Sequence, residues 1–167
     1  MTTFPTAKVM MANVTQLRIT GTLIWKVNEN SLSNYPSLKW LYLNKNKIQK
    51  IEDGAFARLY NLQVLYLSNN KIQRIGNGVF SSLQKLMTLY MYSNKIERIA
   101  DGAFADLGQL KLLYLDDNKI ETIGEQAFTG LNKLRWLRLD ENLLSTLDSP
   151  KIFEGLTNLR TLKLELY

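Results

Sequence analysis

The chain has 167 residues, 46% of them hydrophobic and 22% charged, with 21 Lys and Arg against 15 Asp and Glu for a net charge of +6. That length and balance fit one folded domain, exclude a disordered chain, and leave no run near the ~18 apolar residues that a membrane span needs. Cysteine and histidine are both absent, which excludes cysteine nucleophiles, Ser-His-Asp chemistry and Cys/His zinc sites and puts binding ahead of catalysis.

Residues 1–13 show no charged segment followed by an apolar run, so they do not read as a secretory signal. They fit either a cytosolic protein or a mature fragment with an added initiator methionine. Phe4, Val9 and Met10 are expected to make this stretch an N-terminal cap on the rest of the chain. Asn13-Val14-Thr15 is an Asn-x-Thr triplet of the kind that accepts N-linked sugar, a pattern that also arises by chance.

From Val14 onward the chain repeats. Units begin at Val14, Leu38, Leu62, Leu86, Leu110 and Leu134 with a 24-residue period. An extra residue near Pro150 moves the last start to Leu159, and that unit stops at Tyr167. The expected organisation is therefore six full units and a truncated seventh over residues 14–167. Each unit opens with LxxLxLxxNxI, as in Leu38 to Ile48 and Leu62 to Ile72. Apolar residues at positions 4 and 6 have strand period, which sends positions 3, 5 and 7 to the opposite face. One strand per unit predicts a parallel sheet. Asn46, Asn70, Asn94, Asn118 and Asn142, with Thr22 in the first unit, mark the turn after each strand, where a buried backbone needs side-chain partners. Later in each unit Phe56, Phe80, Phe104, Phe128 and Phe153 recur and should line the returning side, with neighbouring units covering each other's apolar edges.

These residues resemble the typical 24-residue class of leucine-rich repeats. The triplets Gly54-Ala55-Phe56, Gly78-Val79-Phe80 and Gly102-Ala103-Phe104 sharpen the likeness to variable lymphocyte receptors, Toll-like receptor ectodomains and small leucine-rich proteoglycans. The resemblance implies an α/β-class solenoid with a concave parallel sheet of about seven short strands, a loop- and 3-10-rich convex side and little α-helix. It also implies an extracellular or cell-surface binder, often immune, whose ligand lies on the concave face. Such relatives carry cysteine-rich caps, which this chain lacks, so a cytoplasmic location is the alternative.

The register lists the concave face. Position 5 runs Arg18, Tyr42, Tyr66, Tyr90, Tyr114, Arg138, Lys163, a tyrosine ladder with cations at its ends. Trp40 and Trp136 stand in position 3, and Tyr92 in position 7. Asp116, Asp117, Asp140, Glu141 and Glu165 gather in positions 7 and 8 of the last rungs, a crowding of like charge that a cationic ligand would relieve. The candidate ligand-binding set is Asp116, Asp117, Asp140, Glu141, Glu165, Tyr66, Tyr90, Tyr92, Tyr114, Trp136 and Arg138. Exposed aromatics give large contact area at low entropic cost. The competing readings are a ladder that only stiffens the sheet, and carboxylates neutralised by Arg138, Lys163 or Arg135. No catalytic, cofactor or metal site is expected; a calcium site lacks any EF-hand spacing.

The expected partner is a microbial surface polymer or a protein with cationic groups, in pattern or antigen recognition. A scaffold or adaptor binding one endogenous protein on the same face is the alternative. Lys47, Lys71, Lys95 and Lys119, with Lys50, Arg74 and Arg98, form basic columns on the flank that offer a route to nucleic acid. Glu97 and Glu121 interrupt that edge, so a solvated flank is expected and nucleic acid is not. Leu162-Lys163-Leu164 has no following rung, which invites homodimerisation through that edge.

Overall fold

A computed structural model describes residues 2–4 and 9–167. Seven three-residue strands follow the register. They are β1 (Gln16–Arg18), β3 (Trp40–Tyr42), β5 (Val64–Tyr66), β6 (Thr88–Tyr90), β8 (Leu112–Tyr114), β10 (Trp136–Arg138) and β11 (Thr161–Lys163). All pair in parallel, in chain order, to make one sheet. Equivalent residues stand opposite one another, so Gln16, Trp40, Val64, Thr88, Leu112, Trp136 and Thr161 form one row. The central residue of the five inner strands points inward because the register puts a leucine there. Leu41, Leu65, Leu89, Leu113 and Leu137 are all fully buried.

The returning side is turns, one 3-10 turn at Pro150–Phe153 and four two-residue strands: β2 (Lys26–Val27) with β4 (Lys50–Ile51), and β7 (Arg98–Ile99) with β9 (Thr122–Ile123). The sequence reading missed these short ladders. Val27, Ile51, Ile99 and Ile123 occupy one recurring position whose β-branched shape suits a strand, although Ile75 at the same position forms no ladder. Phe56, Phe80, Phe104 and Phe128 are buried as expected. Together with Phe153 they stack at centroid spacings of 6.0–6.2 Å. The extra residue near Pro150 is absorbed in the 3-10 turn, where Ser149 Oγ accepts the Lys151 N–H, so Phe153 keeps its place in the stack.

The turn asparagines act as predicted. Asn118 Nδ2 donates to the carbonyls of Met91, Leu115 and Asp116 at 3.0–3.2 Å, and its Oδ1 accepts the Ile96 N–H at 3.0 Å. Each amide thus ties its own rung to the one before it. Asn46, Asn70, Asn94 and Asn142 likewise donate to carbonyls of their own rung and of the rung before. At the first rung the Ile24 N–H donates to Thr22 Oγ1, which donates to Asn46 Oδ1.

One residue before each asparagine, the backbone is left-handed at Lys45, Asn69, Ser93, Asp117 and Glu141, with φ between 50° and 58°. L-residues rarely adopt this conformation. It is held because the same residues donate to the next rung, as Asp117 N–H does to the Asp140 carbonyl at 3.2 Å. Gly21 fills the slot in the first unit, where left-handed backbone carries no Cβ penalty.

At the N-terminal end Phe4 packs against the core, but Val9 and Met10 are exposed and do not cover the first rung as expected. Residues 1 and 5–8 of the expected cap lie outside the described residues. No helix among the described residues is long and apolar enough to cross a membrane.

Candidate functional site

Because the strands stack in register, position 5 becomes a continuous column. Tyr42 and Tyr66 stack at 4.7 Å, Tyr66 and Tyr90 at 4.5 Å, and Tyr90 meets Tyr114 at 5.2 Å in a tilted pair. Arg18 lies 4.0 Å over the Tyr42 ring, and Arg138 lies 5.8 Å from that of Tyr114. The aromatic stack is therefore closed at both ends by a guanidinium, a favourable cation–π arrangement. Tyr92 reaches Tyr90 edge-on at 6.3 Å. The rings spend their faces on one another, so a ligand meets ring edges and hydroxyls. Burial, reinforced by the adjacent tyrosines, raises the Tyr90 hydroxyl above the ordinary phenol range and keeps it a neutral donor. Trp40, 36% exposed, stands in the second strand, and half-buried Trp136 in the sixth.

The acidic corner divides in two. Asp116 and Asp140 are only 7% and 9% exposed and share Arg138. Asp140 holds it with two hydrogen bonds, from Nε at 3.1 Å and from Nη2 at 2.6 Å, while Asp116 gets Nη1 at 3.3 Å. The consequence is opposite for the two acids. The Arg138 hydrogen bond lowers the Asp140 carboxyl below its ordinary value, whereas burial outweighs Arg138 and raises Asp116. Asp116 Oδ1 is buried with no hydrogen-bond partner. One arginine serves both buried carboxylates, and Lys163 adds a smaller attraction to Asp140.

Asp117, Glu141 and Glu165 are exposed and lie beyond the reach of Arg138. Asp117 accepts the Ser93 hydroxyl at 2.6 Å, and Glu165 accepts the Tyr167 hydroxyl at 2.8 Å and the Glu141 N–H at 3.3 Å. Arg18, Ser93 and Tyr167 thus belong to the surface, although sequence reasoning left them out of the candidate set. Ser93 was discoverable, since it precedes Asp117 by one rung in the same column. Among the described residues no group of three or more carboxylates is placed to hold a metal ion.

The flank differs. Lys26 and Lys50 flank Glu52 at 2.7 and 3.7 Å, and Lys26 above all lowers that carboxyl below its ordinary value. Lys47, Lys71, Lys95 and Lys119 form no ion pair among the described residues. An open groove of about 980 Å³, lined in part by Trp25, Asn28, Gln49, Glu52, Arg74 and Gly76, lies where no strand ladder joins β4 to the next unit. It was not legible in the sequence.

The leucine-rich repeat family model matches residues 12–72, 60–120 and 109–165. No curated protein matches the chain. Among solved structures, the TLR13–ssRNA13 complex is similar with a TM-score of 0.72 and 26% identity, over 89% of this chain and 24% of that one. The Toll–Spatzle complex, from Drosophila, is similar with a TM-score of 0.78 and 23% identity, over 93% of this chain and 22% of that one, a likeness of fold. The chain spans less than a quarter of the length of each.

Proposed function

The chain belongs to the leucine-rich repeat family, and from that premise we propose that it is a recognition module, not an enzyme, that takes a ligand with cationic groups on its concave face. The fold and its Toll-like neighbours support a protein-binding or recognition role. The carrying observation is the column of four tyrosines beside the buried Asp116–Arg138–Asp140 cluster and the exposed carboxylates Asp117, Glu141 and Glu165. The tyrosines supply rigid contact area, and the carboxylates supply attraction and orientation. We assign the module to immune-type recognition of a microbial surface polymer or protein, outside the cell or at its surface.

The test is binding of the labelled chain to whole bacterial cells before and after acetylation of their surface amines. Binding that acetylation removes and that weakens with salt supports the reading. Equal binding to both preparations sinks the cationic ligand, and absence of binding to cells returns the face to an endogenous protein partner.

A second reading is favoured by one observation: the unpaired Lys47, Lys71, Lys95 and Lys119 column, in a fold shared with a protein solved with single-stranded RNA. Steep salt dependence of RNA binding, lost on changing Lys71, Lys95 and Lys119, would move the function to the flank.

A further inference from the structure

We propose that Asn13 carries an N-linked oligosaccharide, held at the N-terminal end of the solenoid and clear of the concave face. The triplet Asn13-Val14-Thr15 is the only Asn-x-Ser/Thr triplet in the sequence. The turn asparagines, which are buried and fully used by backbone groups, are followed by Lys-Ile or Leu-Leu and so never form one. The single acceptor triplet therefore falls on an asparagine that the repeat does not need.

Geometry makes that asparagine available. Asn13 lies in a turn closed by the Val14 N–H donating to the Met11 carbonyl at 3.2 Å, and its side chain is exposed. Thr15 is exposed too. Its carbonyl accepts the Lys39 and Trp40 N–H groups at 2.7 and 3.1 Å, so the backbone is fixed to the next rung while the hydroxyl stays at the surface. Both halves of the triplet can be reached without unfolding a rung, as attachment of a bulky, solvated sugar requires.

The repeat also says where the sugar would lie. Asn13 occupies the slot just before a unit, the slot of Asn61, Lys85, Gln109 and Lys133. There side chains bridge outward from rung to rung, Lys85 to Asn61 and Lys133 to Gln109 at 2.8 Å each. This row is separate from positions 3, 5 and 7, which form the proposed binding face. It flanks β1, which pairs only with β3. Among the described residues nothing pairs the outer edge of β1.

In the reaction, the Asn13 amide nitrogen attacks the anomeric carbon of a lipid-pyrophosphate-linked oligosaccharide. A C–N bond forms, the C–O bond to pyrophosphate breaks, the lipid pyrophosphate departs, and the amide nitrogen gives up one proton. The inference rests on the extracellular placement, because that donor is met in the secretory pathway, but not on the choice of concave ligand.

The test is secretion of the full chain behind a cleavable leader from a eukaryotic host, followed by intact mass and peptide mapping before and after peptide N-glycosidase. The expected result is a heterogeneous mass that collapses to one species, with aspartate at position 13 after release. Thr15→Ser should keep the modification, and Thr15→Ala and Asn13→Gln should each abolish it. Secreted, folded chain with unmodified Asn13 overturns the proposal. The leader supplies the compartment, so that outcome is a failure of the site; retention of the chain inside its own source cells would instead be a failure of the extracellular placement.

Discussion

Replacing Asn118 by alanine is the sharpest probe of what holds neighbouring rungs together. Four hydrogen bonds disappear, but their consequences differ. The carbonyl of Met91 keeps the Asn94 amide, that of Leu115 keeps the Asn142 amide, and that of Asp116 keeps the Ser93 N–H. Only the Ile96 N–H, on a fully buried residue, loses the acceptor it has. A buried donor left unpaired costs about 1–3 kcal/mol, and three carbonyls reduced to one partner add a smaller amount, so the expected loss is about 2–4 kcal/mol. Four independent bonds would suggest more. Asn118→Asp retains an acceptor for Ile96 but sets a carboxylate oxygen against those three carbonyls, and it should lose at least as much. Urea unfolding followed by circular dichroism reads both. A loss for Asn118→Ala below about 0.5 kcal/mol, the range of an ordinary surface change, would refute the claim that this amide is the rung-to-rung tie.

Phe104→Ala removes a fully buried ring stacked on both sides and should cost about 3–5 kcal/mol in the same urea assay; a loss near zero would mean that the stack collapses without penalty. Asp140 has a lowered folded pKa, so its contribution is present above the ordinary carboxylate range and is lost as pH falls through the folded value. Asp140→Asn should therefore destabilise at neutral pH, by an amount that fades on acidification. Asp116 is raised, so it disfavours folding increasingly as pH rises from the ordinary carboxylate value to its folded value and fully above that, and Asp116→Asn should stabilise at neutral pH and lose that advantage in acid. Unfolding curves at both pH values check the pair, and matching pH trends for the two variants would contradict the assignment. At the other end of the sheet, among the described residues, β11 pairs with β10 alone, and Leu162 is 39% exposed. We expect concentration-dependent dimers in sedimentation that Leu162→Lys disperses; a monomer at all concentrations would count against edge pairing.

The fold was legible because its information is periodic. A 24-residue spacing of leucine, asparagine and phenylalanine sets strand, turn and return at once, and an error in one unit is corrected by the others. The Tyr42–Tyr114 ladder came from the same register. What the pattern did not carry was local conformation and side-chain direction. The left-handed backbone at Lys45, Ser93 and Glu141 occurs at residues with no preference for it, held by N–H bonds to the neighbouring rung. The division of the acidic corner largely follows its two columns, with Asp116 and Asp140 buried in position 7 and Asp117 and Glu141 exposed in position 8; what the pattern did not carry is where the Arg138 side chain points, and the exposure of Glu165 in the last rung. Val9 and Met10 were expected inside on hydrophobicity alone, with no repeat to fix their register.

The division of that corner decides how the central claim is tested. Removing Asp116 or Asp140 disturbs a buried ion pair as well as a surface, so the clean probes are the exposed acids. The most direct measurement is binding of the labelled chain to whole bacterial cells for two variants of comparable unfolding midpoint. One carries Asp117→Asn, Glu141→Gln and Glu165→Gln, and the other carries Lys47→Gln, Lys71→Gln and Lys95→Gln. A cation-binding concave face predicts that the first variant loses roughly tenfold or more in affinity, the equivalent of about 1.4 kcal/mol, while the second binds like the parent. Binding abolished by the flank changes and untouched by the acidic ones would contradict it.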